Sequence, residues 1–153
     1  VTIDGTGTNR RRVGTVRFSA TDFGGASPAI ADVDVIVDFL KTDGSCGSPA
    51  SGNAYHNETH FALIGPGNRQ VVLARPSTWS GATAIQPVQI TFDQSASGTP
   101  SGVPRTGTYR PSGGNLNDFN GTNPVGTWAL EAGDTAGGDP LCVRAFTVRI
   151  RGR

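Results

Sequence analysis

Hydrophobic and polar residues alternate along several short stretches of this chain. No stretch of ten residues or more shows the three-to-four-residue spacing of an amphipathic helix. Ala31 to Leu40 is the clearest case, with Val33, Val35, Val37 and Phe39 on one parity and Asp32, Asp34, Ile36 and Asp38 on the other. That period of two marks a strand with one face in a core. Val13 to Ala20 reads the same way through Val16, Phe18 and Ala20, and Val88, Ile90 and Phe92 oppose Gln89, Thr91 and Asp93. Phe61 and Leu63 lead into the tight turn Gly65-Pro66-Gly67-Asn68, and Gln70 to Arg75 returns as the second arm of a hairpin. Thr127 to Ala132 is a further strand, and in the last one Phe146, Val148 and Ile150 face in while Thr147, Arg149 and Arg151 face out. The segments between, including a loop from Arg75 to Gln86 that carries Trp79, are rich in Gly, Pro, Asn and Asp. Strands at this spacing predict an all-β fold, a jelly-roll β-sandwich of about eight strands. Val1 to Arg12 is polar and ends in three arginines, so residues 1–15 read as a solvated arm or linker and 16–153 as one domain.

The stretch from Thr106 to Leu130 organises the rest. Most of it is turn chemistry, yet Tyr109, Leu116, Phe119 and Trp128 recur through it. Such a loop stays folded only when its large side chains are anchored in a core while its backbone crosses the surface. Trp128 and Leu130 alternate on the strand that follows, so both should point inward, with Tyr109 and Phe119 packed on them. Trp128 is the expected keystone, and Trp79, in a loop setting, the lesser of the two tryptophans.

Composition narrows the function classes. The 153 residues suit one domain with a real core, and 22 glycines with 10 prolines, set between apolar runs, argue for short strands rather than disorder. A net charge of +1 offers no electrostatic pull on nucleic acid or membrane, and a soluble monomer is expected. There is no apolar run of membrane-spanning length and no signal-peptide pattern at Val1, which reads as a mature product or excised domain. Cys46 and Cys142 lack any partner pattern for a catalytic thiol, and in a composition that looks secreted they read as a disulfide.

Catalytic patterns are missing. The two histidines, His56 and His60, sit in no protease-like context, and no serine lies in a Gly-x-Ser-x-Gly elbow. In His56-Asn57-Glu58-Thr59-His60 a strand would put His56, Glu58 and His60 on one face, where they could hold zinc, but the solvent side of a strand is the favoured reading. Asn115, Asn117 and Asp118 read equally well as turn caps or as oxygen ligands. Asn57-Glu58-Thr59 and Asn120-Gly121-Thr122 are glycosylation sequons, with meaning only in a eukaryotic secretory pathway.

Four stretches in order carry a resemblance. They are Ala31 to Val37, the hairpin Phe61-Ala62-Leu63-Ile64-Gly65-Pro66-Gly67, the run Ile90-Thr91-Phe92-Asp93-Gln94-Ser95-Ala96, and Gly107-Thr108-Tyr109-Arg110-Pro111 through Asn120-Gly121 to Gly126-Thr127-Trp128-Ala129-Leu130. Together, over about Val16 to Ile150, they resemble the P domain (Homo B domain) of proprotein convertases and of bacterial secreted subtilisin-like serine proteases. The resemblance implies a secreted, non-catalytic jelly roll that docks on and stabilises the protease catalytic domain in the same polypeptide. It also implies structural calcium, for which Glu131, Asp134 and Asp139 around the Gly-rich turn, with Glu58, are the candidate ligands. The sequence departs from the family pattern at Gln94, where a second Asp is usual, and at Cys142 to Phe146, where a Trp often stands. The contrasting class is a free-standing jelly-roll module binding carbohydrate or protein. Solvent-facing Trp79 or Tyr109 on a flat patch would favour that module, and burial of both would favour the stabilising role.

Overall fold

Nine strands form two sheets in a computed structural model that describes residues 1–25 and 28–153. In chain order they are β1 (Thr2–Ile3), β2 (Arg11–Phe18), β3 (Ile30–Lys41), β4 (Thr59–Ile64), β5 (Gln70–Ala74), β6 (Ile85–Phe92), β7 (Gly107–Tyr109), β8 (Gly126–Asp134) and β9 (Leu141–Gly152). One sheet has the order β1-β9-β3-β6-β7 and the other β2-β8-β4-β5. Antiparallel pairs nest: β1 with β9, β2 with β8, β3 with β6, and β4 with β5. This is one long hairpin, its tip at the β4–β5 turn, rolled so that successive strands change sheet. It is the jelly roll anticipated from the sequence. Only β7 stands outside the scheme, running parallel to β6 on the sheet edge.

The alternation along β3 decides which face meets the other sheet. Val33, Val35, Val37 and Phe39 are buried, and the intervening aspartates lie half-exposed on the outer face, where Asp32 and Asp34 oppose Arg151 and Arg149 of β9. From the facing sheet come Phe61, Leu63, Trp128, Leu130 and Ala132, all fully buried. Phe119 stacks on Trp128 with ring centroids 4.9 Å apart, and the Trp128 indole donates to the Pro124 carbonyl at 2.9 Å. Loop and strand therefore share one anchor, as expected. Tyr109 is half-buried in β7 beside Phe92, and its hydroxyl donates to the Arg105 carbonyl at 2.9 Å.

Two expectations change. Trp79 is as buried as Trp128, at 1% exposure, and lies 5.5 Å from Phe39 and 6.1 Å from Phe61, ring centre to ring centre. Its loop is not free, because the amides of Ala54 and His56 donate to the carbonyls of Ala82 and Gly81, and Ser80 donates to Gly102. Loop thus pairs with loop, and the indole is pressed inward. The N-terminal residues are likewise tied down. Thr2 and Ile3 pair with Cys142 and Leu141, and Ile3 is in the core. The Val143 amide donates to the Val1 carbonyl at 2.9 Å, and the Thr6 amide donates to the Asp134 carbonyl.

Cys46 and Cys142 form a disulfide with Cα atoms 5.5 Å apart, which pins the loop after β3 to the start of β9. Leu40 lies opposite Cys142 in the β3–β9 pair, so the strand register sets those segments side by side. In the chain-entropy model, closing a loop of 96 residues stabilises by about 4–5 kcal/mol.

Two predictions follow from the packing. Trp79→Ala and Trp128→Ala should each lose ~3–5 kcal/mol, with unfolding free energies from denaturant titration within ~1 kcal/mol of one another, since each empties a fully enclosed aromatic site. A midpoint for Trp79→Ala close to wild type would show that its loop can open without disturbing Phe39 and Phe61. Reduction of the disulfide, read by urea titration with and without reductant, should lower stability by ~3–5 kcal/mol while leaving the folded state populated. Coincident titration curves would mean the closed loop constrains nothing.

Candidate functional site

The alternation of β3 breaks at its end, where Phe39, Leu40 and Lys41 are buried in succession. Lys41 is the single lysine of the chain, and its side chain is wholly enclosed. Three carboxylates from separate segments meet it. Asp139, in the turn before β9, receives the ammonium on its side chain at 2.5 Å and on its backbone carbonyl at 2.6 Å. Glu58, in the 3₁₀ turn that leads into β4, accepts at 3.1 Å. Asp134, the last residue of β8, stands at 3.4 Å. An ammonium has three N–H donors. Here Asp139, twice, and Glu58 use them, so the buried Asp134 carboxylate is near the charge but accepts no hydrogen bond.

The electrostatics follow from that arrangement. Burial opposes the Lys41 charge, but the hydrogen bonds it donates to Asp139 and Glu58 and the charges of Asp134 and Asp139 outweigh it, holding the ammonium above the ordinary lysine range. Asp134 is pushed up to about 7, first by burial, with Lys41 pulling down and Glu58 and Asp139 pushing further up. A protonated Asp134 donates to Glu58, which supplies the hydrogen bond Asp134 otherwise lacks. A lysine held charged in this way is no nucleophile. What the cluster does is join the ends of β3 and β8 to the turns before β4 and β9. Removing one partner of such a buried pair typically costs ~3–5 kcal/mol, because the other charge is stranded. An open cleft of about 320 Å³ borders the cluster, lined by Asp43, Asn53, Tyr55, Glu58, Gly137, Gly138 and Asp139.

The four carboxylates expected from the sequence do not all meet. Glu58, Asp134 and Asp139 come together around Lys41, whereas Glu131, three residues before Asp134 on β8, faces Arg10 at 3.5 Å. Lys41 itself escaped the sequence reading. The one available signal was a lone lysine at the end of an apolar strand face. His56, Glu58 and His60 do not share a strand face, because His56–Glu58 form a 3₁₀ turn. The fully buried His56 donates from Nε2 to the Thr83 carbonyl at 2.6 Å, and His60 lies over Gly133, where a Cβ would be 1.6 Å from its Nε2. Burial lowers the pKa of both imidazoles. In the long loop Asn115 caps the turn Leu116–Phe119 by accepting from Asn117, and Gln94 accepts from the Leu116 amide at 2.9 Å. Among the described residues no three Asp, Glu, His or Cys side chains stand in metal-ligating geometry. Of the sequons, Asn57 is exposed and Asn120 half-buried.

Stability should therefore depend on pH with a definite sign. Asp134 rises from 3.8 unfolded to about 7 folded, so the folded state holds a proton that the unfolded state lacks in that interval. That contribution is complete below the unfolded pKa and is lost as pH rises through about 7. Asp34, raised to about 6 chiefly by burial and then by Asp32 and Asp93, acts with the same sign at lower pH. The depressed histidines act oppositely, losing stability as pH falls below their unfolded value of 6.5. Above pH 6.5 only Asp134 remains, and melting temperature should fall from about pH 6.5 to about pH 8. In Asp134→Asn that slope should disappear; an unchanged slope would place the titrating group elsewhere.

No protein-family model matches the chain, and no curated protein sequence matches it. Among solved structures, 99% of the chain superposes, with a TM-score of 0.53 and 16% identity, on a chain of the crystal structure of a serine protease from Aeromonas sobria in complex with its chaperone. It covers 24% of that chain, so the protein described here spans about a quarter of its neighbour's length. At this identity the likeness is one of fold.

Proposed function

We propose that this chain is a non-catalytic accessory domain, of the P-domain type, that docks on a secreted subtilisin-like serine protease domain and stabilises it. The observation that carries the reading is the superposition of nearly the whole chain on about a quarter of a chain from a serine protease complex. The four stretches that resemble P domains also fall at connected places in the fold: β3, the β4–β5 hairpin, β6 with its exit, and the loop from β7 into β8. Burial weighs against the free-standing binding module. Trp79 is enclosed and Tyr109 is half-buried with its hydroxyl engaged, so neither forms a flat exposed platform. Among the described residues the exposed large hydrophobic side chains are Val1 and Tyr55. The disulfide suits an oxidising, extracellular setting.

The physical mechanism is linkage. A domain that binds only the folded protease raises its stability in proportion to the logarithm of local concentration over Kd. Tethering supplies an effective concentration near millimolar, so a Kd of about 10 μM already contributes ~2.7 kcal/mol. The expected outcome is that deleting residues 1–153 from the polypeptide that carries the protease domain lowers the protease melting temperature by several degrees. Adding the separate domain in excess should restore part of the loss. Equal melting temperatures and equal inactivation half-lives for the two forms would overturn the proposal.

A further inference from the structure

We propose that the Lys41 ammonium is a tethered cation that takes the place of a divalent metal ion in this fold. The set of oxygens around it argues for this. Four oxygens from Asp139, Glu58 and Asp134 converge on one point at 2.5–3.4 Å, and one of them is a backbone carbonyl. Carboxylates and a backbone carbonyl gathered from separate loop segments are how proteins bind hard divalent cations. That point, however, is the Nζ atom of a fully buried lysine. A calcium ion cannot share it, so these residues as arranged do not fit the calcium that the P-domain resemblance implies.

The charge balance points the same way. Three carboxylates face one ammonium, and the fully buried Asp134, 3.4 Å from it, accepts no hydrogen bond from it. One positive charge with three donors leaves this set under-satisfied. As arranged around Lys41 these side chains are not in metal-ligating geometry, so a doubly charged ion that takes six to eight oxygens would have to draw Glu58, Asp134 and Asp139 inward once the ammonium is gone, with water entering from the adjoining cleft. The lysine stem, reaching in from the end of β3, delivers a single charge and makes the fold independent of dissolved metal. The inference concerns the domain's own stability and stands whether or not the domain docks on a protease.

The experiment removes the tethered charge and offers a free one. Wild-type protein should melt at the same temperature in EDTA and in millimolar calcium chloride. Lys41→Ala should melt ~10 °C lower in EDTA, as expected when a buried ion pair is broken in a domain of this size. Millimolar calcium should recover at least half of that loss, magnesium less because it demands a tighter octahedral shell. Adding Asp134→Asn to Lys41→Ala should abolish the recovery. If Lys41→Ala does not fold in EDTA, Lys41→Met, which keeps the stem, is purified with and without calcium, and folding only with calcium supports the proposal. A calcium-dependent wild type, or a lysine variant that neither calcium, magnesium nor manganese restores, overturns it.

Discussion

An ammonium group sealed from water holds one end of this sandwich together. Transferring a lone charge into the interior costs several kcal/mol, and the cost is met only when all its partners are in place at once. Lys41 has partners on two stretches remote from each other in sequence, Glu58 before β4 and Asp134 with Asp139 from the end of β8 to the start of β9, so the node needs both in place. Other ties gather at the same end. The disulfide fixes the loop after β3 to β9, Thr6 hydrogen-bonds the backbone of Asp134, and the Gly138 amide donates to Asp4. Covalent, ionic and backbone links thus constrain the same handful of turns, where a jelly roll has no sheet to order it.

The opposite end is held by apolar packing. Gly65 lies under the rings of Phe119 and Trp128, and a Cβ there would meet them at 2.8 and 3.1 Å. The hairpin tip and the long loop can approach only because that residue has no side chain. Gln94 completes the anchorage, accepting the Leu116 amide where an acidic residue would repel the nearby Asp93. Both ends of the sandwich are thus fixed, one by ionic and covalent links and the other by aromatic packing.

Alternation along individual strands was enough to determine the class of fold, because a side chain's parity on a strand is a local property. Val33 to Phe39, Val88 to Phe92 and Phe146 to Ile150 each declare their inner face without reference to any other segment, and the tight turn at Gly65 to Asn68 declares its hairpin. The aromatic spacing of the long loop likewise announced Phe119 on Trp128. What only the tertiary structure decided are contacts between residues whose own neighbourhoods say nothing about each other. Trp79 looked peripheral because loop-to-loop backbone pairing, not its sequence setting, drives it inward. The first residues looked solvated because Ile3 gains its partner from a strand near the other terminus. Glu131 and Asp134 looked alike in sequence, yet on β8 one faces Arg10 outside and the other a buried lysine. A solitary lysine carries no periodicity, and its role exists only where four distant oxygens meet it.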